Sequence, residues 1–516
     1  MSFARVYSAQ IDLLSGKIVS VEVDTARGLN NFTIVGLGDR AVAEARDRVG
    51  SALKNSGYES PKTKNQKTVV SLSPADLKKE GSHFDLSIAL GYLIAEGLET
   101  ENLDKTLFVG ELGLDGTVRT VKGILPIVLT AKNEGFTEIF VPEYNTEEAL
   151  LVDGISVFPV RTLTELIDHI EKTNDKQRPK NKINKSQRVE KIKNIIPKIE
   201  NDFADIVGQE SAKRGLIIAA AGGHNIIMYG PPGTGKTMLA KALAGILPEL
   251  SQDESMEVAS IHSIVGNTNR ESVSHVPPFR APHHTASYVS VIGGGTYPKP
   301  GEVTLAHRGV LFADEFPEFD RRVVESLRQP LEEKSVSIAR SKGSAVFPAD
   351  FLFVAAMNPC PCGYKGSKVK SCICTTGDLV RYRRKLSGPL LDRIDIAIYV
   401  GEIDYERLNK TKGAPQSEII RSQIIAARER SFSRSRAAGI NATKNGSLRS
   451  KDLSVCAPLS TESEKVLNEC ATKLGLSARA YHRTQKLART IADLACSEHI
   501  LPEHILEAIR YRPNFE

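Results

Sequence analysis

Nowhere in the 516-residue chain do 18 apolar residues run consecutively, so no membrane-spanning helix is expected. The opening segment MSFARVYSAQIDLLSG has no apolar h-region, and export is not expected either. The cytoplasm is then the default compartment. Cysteine is scarce: there are seven, an odd number, and four of them fall between positions 360 and 374. That usage suits a reducing compartment better than a disulfide framework. Neither sign of charge dominates, since the formal net charge is +6, so any case for nucleic acid rests on where the charge is placed. Low-complexity tracts and internal repeats are absent, and 41% apolar with 25% charged residues is the balance of an ordinary globular protein. The length implies two or three domains.

Residues 1 to 172 read as one α/β unit. KIVSVEVD and KTVVSLS are β-branched runs, whereas FDLSIALGYLIAEG repeats its apolar residues at helical spacing. Residues 173 to 200 form a basic linker; from Lys172 to Glu200 there are ten Lys or Arg against three Asp or Glu. Strands and helices alternate again over 201 to 400, and 401 to 516 is a helical tail. In that tail a capping box is expected at Thr461 to Glu464, a C-cap at Gly475, and a last helix from Pro502.

The strongest local signal is GPPGTGKT, preceded by the apolar strand NIIMY and followed by the helix-forming MLAKALAGIL. It is a P-loop in its required strand–loop–helix context. Gly230, Pro231, Pro232, Gly233, Thr234 and Gly235 supply a turn whose backbone amides can face phosphate oxygens at a helix N-terminus. Lys236 adds a mobile positive charge, Thr237 a hydroxyl that can ligate Mg²⁺, and Met238 continues the helix. A second apolar strand, GVLFADEF, ends in Asp314 and Glu315. Asp314 can complete the Mg²⁺ shell with Thr237, and Glu315 can orient and deprotonate a water, so ATP hydrolysis is expected rather than binding alone.

With IVGQE upstream and the strand FLFVAAMNP ending in Asn358, the pattern resembles an AAA+ ATPase. The resemblance implies a parallel sheet with helices on both faces and a C-terminal helical lid. It places Asn358 as sensor 1 on a strand between the two P-loop-ATPase strands, and Ile206, Val207 and Gly208 beside the adenine. Arg393 in GPLLDRID resembles an arginine finger, and Arg479 in LSARAYHR resembles sensor 2. A finger supplied by a neighbouring subunit implies a closed ring, a homohexamer.

From Lys236 to Asp314 is 78 positions, more than one crossover requires. The extra stretch is similar to the helix-2 insert of the clade that holds magnesium chelatase ATPase subunits and replicative MCM helicases. Its His283 and His284 are expected to point apart and to serve structure or DNA. EEKSVSIARSKGSAVFPADF alternates about a glycine-containing tip, the pattern of a β-hairpin. It resembles the presensor-1 hairpin of that clade, whose tip, with Arg340 and Lys342, would grip a DNA backbone in the ring's pore.

The N-terminal unit resembles the proteolytic domain of Lon and its relative in RadA recombination proteins, through SLSPADLKKEGSHFDLSIALGYL and FVGELGLDGTVRTVKGILPIVLTAKNEGFTEIFVPEYN. A Lon-type peptidase needs a serine activated by a lysine. Here His83 stands at the nucleophile position, Ser82 is one residue off register, Leu125 falls at the lysine position and Lys122 is offset. The dyad is therefore expected to be absent. As a whole the chain resembles the Mg chelatase-like YifB/ComM family. This resemblance implies a hexameric ATP-dependent DNA helicase and branch-migration motor on single-stranded, forked or branched DNA. It would serve homologous recombination and natural transformation, alongside recombination proteins. Two alternatives stay open: a chelatase-type motor subunit that remodels a protein partner, and an ATP-dependent protease or unfoldase.

Cys360, Cys362, Cys372 and Cys374 are spaced C-x-C, nine residues, C-x-C. Four thiolates are the ligand set of a closed structural Zn²⁺ site, with reduced loop thiols and redox chemistry as the other readings. Cys456, Cys470 and Cys496 are expected to be small core residues.

Overall fold

The computed structural model describes residues 2–171, 183–185, 202–266, 275–295, 298–340, 343–367, 370–402 and 416–513. The expected basic linker thus lies, except for 183–185, outside the described residues. The chain divides into two compact units, Met1–Ile195 with Met256–Val273, and Ile196–Ser255 with Ser274–Glu516.

The first unit is built on a seven-stranded mixed sheet in the order Asn31–Val35, Gln66–Ser73, Ser15–Arg27, Phe3–Asp12, Thr106–Phe108, Glu138–Pro142, Ser156–Val160. The first two long strands form an antiparallel hairpin whose connection carries Leu13 at φ +58, the left-handed geometry that matches the twist of the flanking strands. Along the second, Val19, Val21 and Val23 are fully buried while Ser20 and Glu22 are half-exposed, so the two-residue alternation sends the valines to one face. Helices Arg40–Asn55 and Asp85–Ala95 cover that face, and Ile124–Asn133 covers the other with Leu125, Ile127 and Val128. Asp39 caps the first of these helices, its side chain accepting from the Val42 amide at 2.9 Å.

Residues 256–265 are helical and belong to this unit, although they come from the insert after the P-loop. Ala259 is buried beside Leu125 and Val128. The Ser263 carbonyl accepts from the Gly123 amide at 3.1 Å. Glu148 accepts from the Leu125 amide at 2.9 Å and from the Ser263 hydroxyl. Burial pushes the Glu148 carboxyl above its ordinary value, against the pull of those two donors.

The second unit holds a five-stranded, wholly parallel sheet in the order Phe279–Arg280, Val310–Ala313, Leu352–Met357, Ile226–Tyr229, Ile396–Tyr399. All residues of Val310–Ala313 and of Leu352–Met357 are buried, the near-continuous apolar run of a parallel strand covered on both faces. On one face Met228, Phe312 and Val354 meet helices Glu210–Gly222 and Lys236–Ile246. The C-terminal helices Ser417–Ala437, Ala478–Leu494 and Pro502–Arg510 add Ile424, Leu487, Ile491 and Ile505 to the same core. Buried Asp493 fastens two of them, pairing with Arg434 at 2.7 Å and with Arg489 at 3.0 Å and accepting from Asn445 at 2.7 Å.

The expected cap of helix Thr461–Leu474 slips by one residue. Ser460, with extended backbone at ψ 159, is the N-cap and accepts from the Ser463 amide, while Gly475 closes the helix at φ +59 as expected. Pro502 opens the last helix, also as expected. Cys496 is not a core residue: it is exposed, at φ +57 just past the end of helix Ala478–Leu494. Cys456 is buried and Cys470 half-buried.

Candidate active site

Strand Ile226–Tyr229 runs straight into the glycine-rich turn, and helix Lys236–Ile246 leaves it. Gly233 at φ +76 and Gly235 at φ +88 adopt left-handed backbone that side chains resist. A Cβ on Gly230 would lie 2.0 Å from the Val400 carbonyl oxygen. Lys236 is buried under this turn, and its Nζ donates to the carbonyls of Gly230 and Pro231, each at 2.8 Å, and reaches Asn358 Oδ1 at 3.4 Å. Burial lowers its pKa, while Asp314 and Glu315 pull the other way.

The neighbouring pieces come from two further strand ends. Asp314, just past Val310–Ala313, accepts from the Thr237 hydroxyl at 2.8 Å. Glu315 sits at φ +50, an unusual backbone for a residue with a side chain. Asn358 follows strand Leu352–Met357, which lies between strand Ile226–Tyr229, leading to the P-loop, and strand Val310–Ala313, leading to Asp314. Three chain segments, distant in sequence, thereby converge on a cavity of about 710 Å³ lined by Lys236, Thr237, Asp314, Glu315 and Asn358.

His283 and His284 line that cavity too, a role that the sequence reading missed. Their rings are 4.2 Å apart and tilted by 32°, rather than opposed, because they follow Pro282 in a turn, where strand and helix alternation does not operate. His284 Nδ1 lies 3.3 Å from a Glu315 carboxylate oxygen. The spacing after a short strand edge was the available signal, since Phe279–Arg280 pairs beside Val310–Ala313 and leads its loop to the same sheet end.

Some expected members lie elsewhere. Ile206 is buried in the hydrophobic core, and Val207 and Gly208 are half-exposed; none of the three lines the cavity. Nor do Arg393 and Arg479, which meet on one carboxylate: Arg393 pairs with Glu332, and Arg479 pairs with the other oxygen of Glu332 at 3.0 Å. The hairpin is present as Ser335–Arg340 with Gly343–Pro348. Lys342 lies outside the described residues, and of Arg340 only the backbone is described.

Cys360, Cys362, Cys372 and Cys374 are brought together, all four sulfurs lying within 4.8 Å of one another, so the cluster can hold a metal ion. In the N-terminal unit no serine–lysine pair forms from the residues expected to be off register. The Ser82 hydroxyl donates to Glu111, the Lys122 amine to the Val265 carbonyl at 3.2 Å, and His83 Nε2 lies 3.1 Å from the Lys122 carbonyl.

Sheet order and strand-end chemistry define a P-loop nucleotide-binding site, and comparison with known families shows it to be Mg chelatase-like. Residues 202–408 match the family described as magnesium chelatase, subunit ChlI; residues 21–145 match subunit ChlI of Mg-chelatase; residues 414–512 match the ChlI C-terminal region. The chain is 42% identical to competence protein ComM of Haemophilus influenzae, over 99% of this chain and 98% of that one. It is 40% identical to YifB of Escherichia coli, over 99% and 97%. A magnesium-chelatase 67 kDa subunit of Chlorobaculum parvum is 27% identical over 30% of this chain and 23% of its own length. The chain belongs to the YifB/ComM family. Among the described residues no helix is long and apolar enough to cross a membrane.

Proposed function

We propose that the chain hydrolyses ATP and uses it as a homohexameric ring to drive helicase and branch-migration work on single-stranded, forked or branched DNA. The observation that carries the hydrolysis is the joining of Thr237 to Asp314 at 2.8 Å beside Lys236 and Asn358, with Glu315 at the same cavity. The turn formed by Gly230, Pro231, Pro232, Gly233, Thr234 and Gly235 cradles the phosphates, and Lys236 exchanges its carbonyl partners for phosphate oxygens. Thr237 and Asp314 are an oxygen-donor pair of the kind Mg²⁺ takes, and the bound ion would neutralise phosphate charge there. Glu315 orients the attacking water and takes its proton, and Asn358 hydrogen-bonds that water or the terminal phosphate. Met238 continues the phosphate-bearing helix, and Ile206, Val207 and Gly208 border the nucleotide at the adenine end.

Arg393 reaches the site of the next subunit in this reading and Arg479 is sensor 2, both supplying charge to the γ-phosphate. The absence of Arg393 from the lining of its own chain's cavity supports it, as does the meeting of both arginines on Glu332, which would present the two guanidinium groups together. Arg340 and Lys342 contact DNA in the pore. The DNA reading draws its support from full-length likeness to a protein named for competence, which points to recombination during natural transformation.

The chelatase-type reading, a motor that remodels a protein partner, rests on the three ChlI family matches and on the likeness to a magnesium-chelatase subunit that covers 30% of this chain. The separate partners of Ser82 and Lys122 speak against a peptidase. ATP turnover measured alone, with forked or single-stranded DNA, and with an unfolded protein separates the three. DNA stimulation is expected; stimulation by protein alone contradicts the DNA motor.

A further inference from the structure

The loop from Asn358 to Thr375 gathers four of the seven cysteines at one point although nothing in the nucleotide site uses them. Cys360 and Cys362 sulfurs are 3.4 Å apart, Cys360 and Cys372 3.7 Å, Cys362 and Cys372 3.6 Å. These separations are far beyond the roughly 2.05 Å of a disulfide. They are close to the edge of an S₄ tetrahedron, which at a Zn–S distance of about 2.3 Å is about 3.8 Å. A backbone amide points at one of the sulfurs: the Lys365 amide donates to Cys360 at 3.3 Å. Such donors stabilise thiolates and commonly surround thiolate-bound metals. With four protein ligands no position is left for a substrate, which marks a structural rather than a catalytic ion.

The loop is also tied to the ATP site at both ends. Cys360 follows Asn358 by two residues. Helix Thr376–Arg383 begins two residues after Cys374, and its Tyr382 hydroxyl donates to the Asn358 carbonyl at 3.2 Å. Between the two cysteine pairs, Gly363 turns at φ +87 against the P-loop, where an added Cβ would lie 3.0 Å from Pro232 Cδ and 4.0 Å from Asn358 Cγ. The turn next to the first two sulfurs therefore packs beside both the P-loop and Asn358, the residue that reaches Lys236.

We propose that Cys360, Cys362, Cys372 and Cys374 bind one Zn²⁺ as four thiolates, and that this metal-bound knuckle fixes Asn358 against the P-loop. The second half rests on the assignment of Asn358 to the ATP site; the first does not. A thiophilic divalent ion is specified by the all-sulfur set, whereas Mg²⁺ requires oxygen donors.

The full chain, purified without added zinc, should carry one Zn²⁺ per subunit by elemental analysis. A Cys372→Ser, Cys374→Ser double variant should lose it. Replacement by Co²⁺ should produce the visible absorption of tetrahedral cobalt thiolate. Folded protein with four reduced thiols and no metal, or with a disulfide among them by mass spectrometry, overturns the site. If the double variant fails to fold, wild-type protein stripped with a chelator and reloaded with Zn²⁺ provides the same comparison. Hydrogen exchange then reads the second half. Loss of zinc should raise exchange at least about tenfold in the segments around Asn358 and Pro232 and return to the starting rate on reloading; unchanged protection there removes the positioning role. Because metal content and exchange are read without turnover, zinc binding in a chain that never hydrolyses ATP would refute the proposed function and leave the metal site standing.

Discussion

The Thr237 hydroxyl donates to the Asp314 carboxylate at 2.8 Å, across the strand that ends in Asn358. That one hydrogen bond joins the first turn of the P-loop helix to the end of a strand 77 positions away. An uncharged turn could form without it; a site that gathers an oxygen-donor pair beside a buried lysine needs it. Replacing Glu315 by Gln keeps the shape and removes the base, so turnover should fall by about 10²-fold or more while a fluorescent ATP analogue still binds. Lys236→Ala should instead weaken that binding roughly 10- to 100-fold, the loss of one charged hydrogen bond to phosphate. Equal binding defects in both variants would contradict the division of roles.

His284 and Glu315 lie 3.3 Å apart. A carboxylate engaged by an imidazole has one lone pair fewer to offer a water. His284→Ala should therefore raise turnover in the absence of DNA by up to about tenfold, the worth of one hydrogen bond, with nucleotide affinity unchanged. A fall in turnover would show that His284 instead holds Glu315 in its working position.

Neither Arg393 nor Arg479 lines the cavity of its own chain. If Arg393 serves a neighbour, Arg393→Ala should lower turnover by about 10³-fold. Mixing those subunits with Lys236→Ala subunits should then restore part of it, because each inactive chain supplies what the other lacks. No recovery on mixing would place the arginine in its own site. Glu332→Gln, which removes the charge that both guanidinium groups share, should lower turnover less than either arginine deletion does.

Glu148 anchors the helical stretch 256–265 within the N-terminal unit, and burial raises its carboxyl above the ordinary 4.5. The folded state therefore holds the proton more tightly than the unfolded chain. This group's contribution is greatest below the ordinary value and is lost as pH rises through the raised one. Glu148→Gln retains an acceptor for the Leu125 amide and removes the titration. Melting temperatures taken at about pH 4.5 and about pH 7.5 should show the variant gaining on the wild type at the higher pH. A difference that does not change with pH would contradict the assignment.

Local signals carried the parts of this molecule that local physics decides. The strand, glycine turn and helix around Lys236 could be read directly, as could the C-cap at Gly475 and the helix start at Pro502, because each depends on neighbours within a few residues. The cap at Ser460 rather than Thr461 was not legible, since only Thr461 has a glutamate three residues on and the backbone geometry nonetheless selects the serine. His283 and His284 were read by the alternation of regular elements, but they stand in a turn. Residues 256–265 fold with the N-terminal unit through Ala259 and Ser263, and the joint pairing of Arg393 and Arg479 with Glu332 links positions 61 and 147 apart. Long-range packing and charge pairing of this kind leave no periodic trace in the chain.

The most direct test of a DNA motor is movement of a junction. A synthetic three-stranded mobile junction with one labelled strand, incubated with the full chain, ATP and Mg²⁺, should release that strand as the junction migrates. Release should fall to background without ATP or with the Glu315→Gln variant. Strand release that proceeds equally without hydrolysis, or robust ATP turnover that leaves every junction in place, would contradict the account.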